Sequence, residues 1–380
     1  MAESAHKKIL LFGYMPPPYF GPSVCYHALL HSTFTQHWQV TFVDLTVVQH
    51  IAELEQFRVG KLLKLVGFIL TTLWHLLSKR FDLCSYPIAY NRKAFLKDWT
   101  LLSLVFAFRV PAVLYIKGRG LPEFRRRLSP YLRRHFETMV RRAAGAIVVA
   151  EDIRAELDGL LPPSKVLTII QGLEPQSQFT DPPARNSGGF TVLYLGALYR
   201  RKGLFTLLEA FRQVREQRPD ARLVLAGDWF PASEREPAED FLKTHNLTDA
   251  VQLTGPVFGD AKWRLYSEAD AFVFVTEPNY EAFGLVLLEA MQAWLPIVAS
   301  RGGARSELVT DGVNGFLAAH DDSAAVANYL LRLAADPVLR ERMGRAGRER
   351  FAAHYTHEQY GQRLSKALLA LSGETCANGS

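Results

Sequence analysis

The chain has little cysteine. Its three cysteines, Cys25, Cys84 and Cys376, are spread over 380 residues. They are odd in number and form no C-x-x-C pair. That argues against a disulfide scaffold or a zinc ribbon, and for thiols in a reducing compartment. A membrane-spanning run is also missing: the apolar stretch Leu65–Leu77 falls short of the roughly 20 residues a bilayer demands. The opening segment KKILLFGY meets Met15-Pro16-Pro17-Pro18 too soon for a secretory leader and reads as a first strand. A cytoplasmic protein is expected. No G-x-G-x-x-G follows that strand, which disfavours a dinucleotide dehydrogenase. No nucleic-acid-binding signature occurs, and there is no Asp-x-Asp pair.

What the chain does contain is alternation. Apolar residues make up 48% and charged residues 22%, an ordinary globular composition, and the length favours two domains. Strands are expected at Lys8–Phe12, Val40–Asp44, Ala112–Ile116, Ala146–Val149 and Val166–Ile170. A second series follows at Phe190–Leu195, Arg222–Ala226, Val251–Leu253, Ala271–Val275 and Pro296–Ala299. Helical segments lie between them. In Leu204–Arg218, for example, Leu204, Leu207, Leu208, Phe211 and Val214 follow the 3.6-residue period. Strand–helix alternation implies parallel sheets with right-handed crossovers. The segment Asp181–Gly189 has linker composition. The expected organisation is a doubly wound domain over 1–180, a second over 190–355, and a helix and polar tail over 356–380 that packs back on the first. Ligands of such sheets bind at the carboxyl ends of the strands.

Charge is concentrated. Residues 117–142 hold nine Lys or Arg against two Glu, a net +7 in a chain of +6. Leu128, Leu132, Phe136 and Met139 interleave with the arginines, as in an amphipathic basic helix. Each arginine singly reads as a solvated face; the whole cluster points to a polyanion such as a membrane surface. A second membrane-directed feature is the apolar Leu62–Leu77, flanked by Lys61, Lys64, Lys79 and Arg80.

Two segments carry chemistry. After the strand Phe190–Leu195 come Gly196, then Arg200, Arg201 and Lys202, then Gly203 leading into a helix. Cations beside a helix amino terminus suit a diphosphate. Residues 281–294 read EAFGLVLLEAMQAW. A helix apolar all round is normally buried, so the carboxylate of Glu289 must have a partner. Glu281 sits at the mouth of the same segment, about 12 Å away at a helical rise of about 1.5 Å per residue. The two acids suggest a polyhydroxylated ligand along the first turns. The alternative is that Glu289 pairs with a distant arginine for structural reasons.

EAFGLVLLEA resembles the E-x7-E motif of retaining GT-B glycosyltransferases of family four. GALYRRKG is similar to the basic loop of that family, and Leu253–Val275, including Val257, to its nucleobase-side strand, turn and helix. ASRGGARSELVTDGVNGFL is similar to its Gly-Gly turn and following strand, and MPPPYFGPSVCYHALL to its N-terminal glycine loop. The resemblance implies an α/β fold of GT-B type, two doubly wound Rossmann-like domains facing a cleft. It implies a retaining, metal-independent glycosyltransferase that needs no cofactor. The donor would be a UDP-, GDP- or ADP-linked sugar and the acceptor a glycan or lipid-linked hydroxyl. By the same resemblance Glu281, Lys202, Arg201 and Lys117 are catalytic. The donor meets Gly21, Gly196, Arg201, Lys202, Val257, Glu281, Ala282, Phe283, Gly284, Leu285 and Glu289. Three positions depart from the family pattern. Ala197 stands where an arginine is usual, with Arg201 able to replace its charge, Lys117 stands where a histidine is common, and Gln171 precedes Gly172 where an asparagine is common. A sugar-nucleotide epimerase or hydrolase, or a binding protein without turnover, are the other classes that fit.

Overall fold

The computed structural model describes residues 6–46, 59–184 and 188–373. The side chain of Lys61, linker residues Arg185–Ser187, Cys376 and the tail from residue 374 lie outside them. The chain forms two compact units, one of residues 1–174 with 356–380, the other of residues 175–355.

The first unit holds six parallel strands: β1 (Lys7–Gly13), β2 (Trp38–Asp44), β3 (Leu83–Pro87), β4 (Ala112–Ile116), β5 (Gly145–Val148) and β6 (Val166–Thr168), in the order β2-β1-β3-β4-β5-β6. The second holds β7 (Phe190–Leu195), β8 (Ala221–Ala226), β9 (Val251–Gly255), β10 (Ala271–Phe274), β11 (Ile297–Ser300) and β12 (Gly315–Ala318), in the order β12-β11-β10-β7-β8-β9. Every pairing is parallel. Parallel sheets are covered on both faces, so their strands read as unbroken apolar runs rather than alternating ones. β4, β5, β10 and β11 are buried at every residue.

The periodicity of the helix after β7 is realised. Leu204, Leu207, Leu208, Phe211 and Val214 are all buried on the helix Leu204–Gln217, which packs against the helix Ser323–Ala335. The last helix, His357–Leu371, packs on the first unit beside the helix Gly21–Leu30 and β5.

The strand order fixes where chemistry belongs. From β7 the chain runs outward to β8 and β9, then returns to the other side of β7 as β10. At such a reversal the loops leaving the two central strands part and open a crevice at their carboxyl ends. In the second unit those are the loops after Leu195 and after Phe274.

Candidate functional site

The loop after β7 carries Gly196 and Ala197, then a single 3-10 turn, Arg200–Lys202. The loop after β10 carries Thr276 to Gly284. The two are strapped together. The Arg201 carbonyl accepts from Glu277 N at 3.0 Å and from Thr276 Oγ1 at 3.0 Å. The Arg201 guanidinium meets Glu277 Oε2 at 2.7 Å and lies 4.7 Å from the centre of the Tyr280 ring. Its hydrogen bond to Glu277 raises the Arg201 pKa above its ordinary value. Lys202 Nζ bonds Glu281 Oε2, both groups half-buried. Two cations from one loop therefore face two acids from the other at the reversal point.

Gly203 makes the turn possible. Its φ is 79°, and a Cβ there would lie 1.5 Å from the Val275 carbonyl oxygen. No side chain fits, and only glycine adopts that φ without strain. Gly203→Ala is expected to destabilise the chain by about 3 kcal/mol or more, because backbone must move as well as φ. A melting curve near wild type would show that the turn relaxes freely.

The acidic loop ends at Gly284. Its φ of 84° caps the helix Leu285–Gln292, and a Cβ there would press on the Phe274 ring at 2.9 Å. This corrects the sequence reading in one respect. Glu281 does not lie on the helix of Glu289, because a left-handed residue breaks the chain between them. Only the rise from Leu285 to Glu289 is helical, about 6 Å. Ala282 and Phe283 are buried, and the Ala282 carbonyl accepts from Ala304 N at 3.3 Å.

Arg305 holds this loop from behind, and sequence reasoning missed it. It is fully buried, donating from Nε to the Ser300 carbonyl at 2.9 Å and from an Nη to the Glu281 carbonyl at 3.2 Å. Nothing in the sequence separates a buried arginine after Gly-Gly from an exposed one.

Glu289 needs a second correction. Its side chain is buried but not isolated. Lys262 Nζ meets Oε1 at 2.6 Å and Tyr266 OH donates to Oε2 at 2.9 Å. Burial, and then the carboxylate, push the Tyr266 phenol well above its ordinary pKa, so it stays a donor. The partner is thus a lysine on a neighbouring helix, Gly259–Glu268, and the burial of Glu289 does not by itself require a ligand. The carboxylate keeps capacity all the same. An ionised carboxylate offers about four lone-pair sites, and the two protein donors take one on each oxygen. Val257, half-buried, lies in the short loop between β9 and the helix that supplies Lys262 and Tyr266.

Two of the expected site residues lie in the first unit. Gly21 is the exposed first residue of the helix Gly21–Leu30. Lys117 follows β4. Its stem is partly exposed, but Nζ is enclosed and has no hydrogen-bond partner among the described residues. It sits 3.6 Å from the centre of the Tyr26 ring and 4.6 Å from that of Tyr115. Burial lowers its pKa from 10.5 to about 8.

The basic stretch 117–142 is also less free than its composition suggests. Arg119 pairs with Asp152, Arg125 and Arg141 with Glu137, Arg127 with Glu123, and Arg142 donates to the Phe106 carbonyl. Leu128, Phe136 and Met139 face the interior.

Residues 176–350 match the family described as Glycosyl transferases group 1. This part of the chain, most of the second unit, belongs to that family. The chain is 26% identical over 234 residues to glycogen synthase of Mycobacterium tuberculosis, covering 61% of this chain and 55% of that one. It is 29% identical over 238 residues to lipopolysaccharide 1,2-N-acetylglucosaminetransferase of Salmonella typhimurium, covering 59% and 62%. The matches therefore span little more than half the length of these curated relatives. The crystal structure of Anabaena HepE in complex with UDP-glucose superposes with a TM-score of 0.71 at 20% identity, covering 96% of this chain and 99% of that one. The fold is GT-B. The parting of β7 and β10 is where the four charged side chains Arg201, Lys202, Glu277 and Glu281 meet.

Proposed function

We propose that this chain is a retaining, metal-independent glycosyltransferase. It moves a sugar from a nucleotide-linked donor to a hydroxyl of a glycan or lipid-linked acceptor. The observation that carries the reading is the double ion pair, Arg201–Glu277 and Lys202–Glu281, at the chain reversal of the second sheet. A diphosphate entering there competes for the two cations and frees the two acids. The freed Glu281 carboxylate then accepts the hydroxyls of the transferred sugar. The nucleoside end lies toward Glu289, whose spare lone pairs accept the vicinal ribose hydroxyls while Lys262 and Tyr266 hold the carboxylate still. As the glycosidic bond breaks, negative charge grows on the leaving diphosphate, and Arg201 and Lys202 stabilise it in place. The acceptor hydroxyl attacks from the face the diphosphate leaves, which keeps the anomeric configuration.

Lys117 Nζ lies against the Tyr26 ring, and none of these steps is assigned to it. The acceptor side is assigned to the first unit.

The test is incubation of the full chain with UDP-, GDP- and ADP-sugars, with and without glycan and lipid-linked acceptors, followed by NMR of the anomeric proton. Acceptor-dependent release of the nucleoside diphosphate with retained configuration is expected. An inverted product contradicts the retaining mechanism. An isomerised or hydrolysed sugar formed equally well without acceptor contradicts transfer itself.

A further inference from the structure

The helix Val59–Ser78 treats its apolar residues differently from the basic segment 121–142. Thr72 and Leu76 are buried, and the helix packs against β2 and the helix Arg92–Ala107. Yet Leu63, Val66, Leu70, Trp74 and Leu77 are 69%, 46%, 59%, 61% and 69% exposed. At about 100° per residue these five fall within an arc of about 80°. They form one continuous apolar stripe about four turns long, on the side away from Thr72. An exposed patch of this kind marks a surface for a partner or a membrane.

Charge decides between the occupants. Residues 59–80 contain no Asp or Glu, whereas Lys61, Lys64, His75, Lys79 and Arg80 lie within or just after the helix. Two copies zipped along this stripe would set like charges beside the seam, where paired helices place opposite ones. An anionic lipid surface has the complementary sign, and a tryptophan in the stripe suits the headgroup boundary. The buried Thr72 and Leu76 keep the helix in its unit, so it lies in the membrane plane and does not span. The segment 121–142 cannot do the same, since Leu128, Phe136 and Met139 are spent on the core.

We propose that the helix Val59–Ser78 seats its stripe from Leu63 to Leu77 in the headgroup layer of an anionic bilayer, with Lys64, Lys79 and Arg80 toward lipid phosphates. The proposal goes beyond the sugar-transfer reading and does not depend on it.

The test is co-sedimentation of the full chain with vesicles. Binding is expected to vesicles of equal parts phosphatidylcholine and phosphatidylglycerol at low salt. It should weaken at high salt and be absent with phosphatidylcholine alone. The double substitution Leu70→Glu, Trp74→Glu should lower the partition coefficient about tenfold or more. Val338→Glu, an exposed apolar residue of the other unit, should leave it unchanged. Both variants alter exposed positions, and circular dichroism melts matching wild type verify that they fold. Quenching by brominated lipid should fall in Trp74→Phe. Failure to sediment with anionic vesicles overturns the proposal, and so does a double variant that binds like wild type. A concentration-dependent dimer dissolved by the same double substitution, without vesicle binding, overturns it in favour of a second copy. None of these readouts involves sugar transfer, so each reading can fail alone.

Discussion

Lys202→Ala is expected to lower sugar transfer by about 10²–10³-fold, on the scale of losing one preorganised contact to developing charge. Lys202 pairs with Glu281 of the facing loop, and both are partly exposed. The loss should therefore show mainly in turnover, with a modest change in melting temperature. Removing the ammonium also leaves Glu281 without its counter-charge, so a second variant separates the causes. Lys202→Ala with Glu281→Gln restores local neutrality. If the deficit is the missing stabilisation of the leaving group, the double variant stays slow. If it is only a misplaced Glu281, activity returns in part. Turnover of Lys202→Ala equal to wild type would remove this residue from the site.

The second large effect is on stability. Lys117 Nζ is enclosed without a hydrogen-bond partner among the described residues, and burial brings its pKa down from 10.5 to about 8. Below about pH 8 the amine is charged in both folded and unfolded chains, and the folded chain bears the full cost of a desolvated ammonium. Between about 8 and 10.5 the unfolded chain holds the proton and the folded chain has released it, so stability rises with pH through that window. A difference of this size corresponds to about 3 kcal/mol. Lys117→Met, which keeps the stem and contact with the Tyr26 ring, is expected to be more stable than wild type at pH 7, by up to about 3 kcal/mol. It should also lack the rise between pH 8 and 10.5. Denaturant melts of both proteins across that range check it. Parallel pH profiles for the two would mean that the amine reaches water in the folded chain.

The parts of the fold that could be read ahead are those where one signal dominates. β7 was legible because Phe190–Leu195 is apolar at every residue but Thr191, is rich in β-branched and aromatic side chains, and ends at a glycine. The helix behind it was legible because its buried positions keep the 3.6-residue period. β3 was not: LCSYP is five residues long, has no β-branched member, and is a strand because β1 and β4 flank it. β12, GFLA, also lacks a β-branched residue and was legible only through the family resemblance. In the site, the cations of the basic turn and the acids of the next loop stood out as residues. Their pairing did not, because it depends on which strands lie side by side. The partners of Glu289 lie 27 and 23 residues before it. Lys262 and Tyr266 are four apart on one helix and so share a face, but a Lys-x-x-x-Tyr spacing is too common to single out. The break at Gly284 was missed because a glycine inside an apolar run is compatible with an unbroken helix.

Calorimetric titration of the wild type and of Glu289→Gln with the sugar nucleotide that most raises the melting temperature tests the assignment of Glu289 most directly. The substitution keeps the shape and removes the charge that would accept two hydroxyls. A fall in affinity of about 10–100-fold is expected, the worth of charge-assisted hydrogen bonds in a partly buried site. Equal affinity for the two proteins would mean that Glu289 serves only Lys262 and Tyr266, and that the nucleotide binds elsewhere.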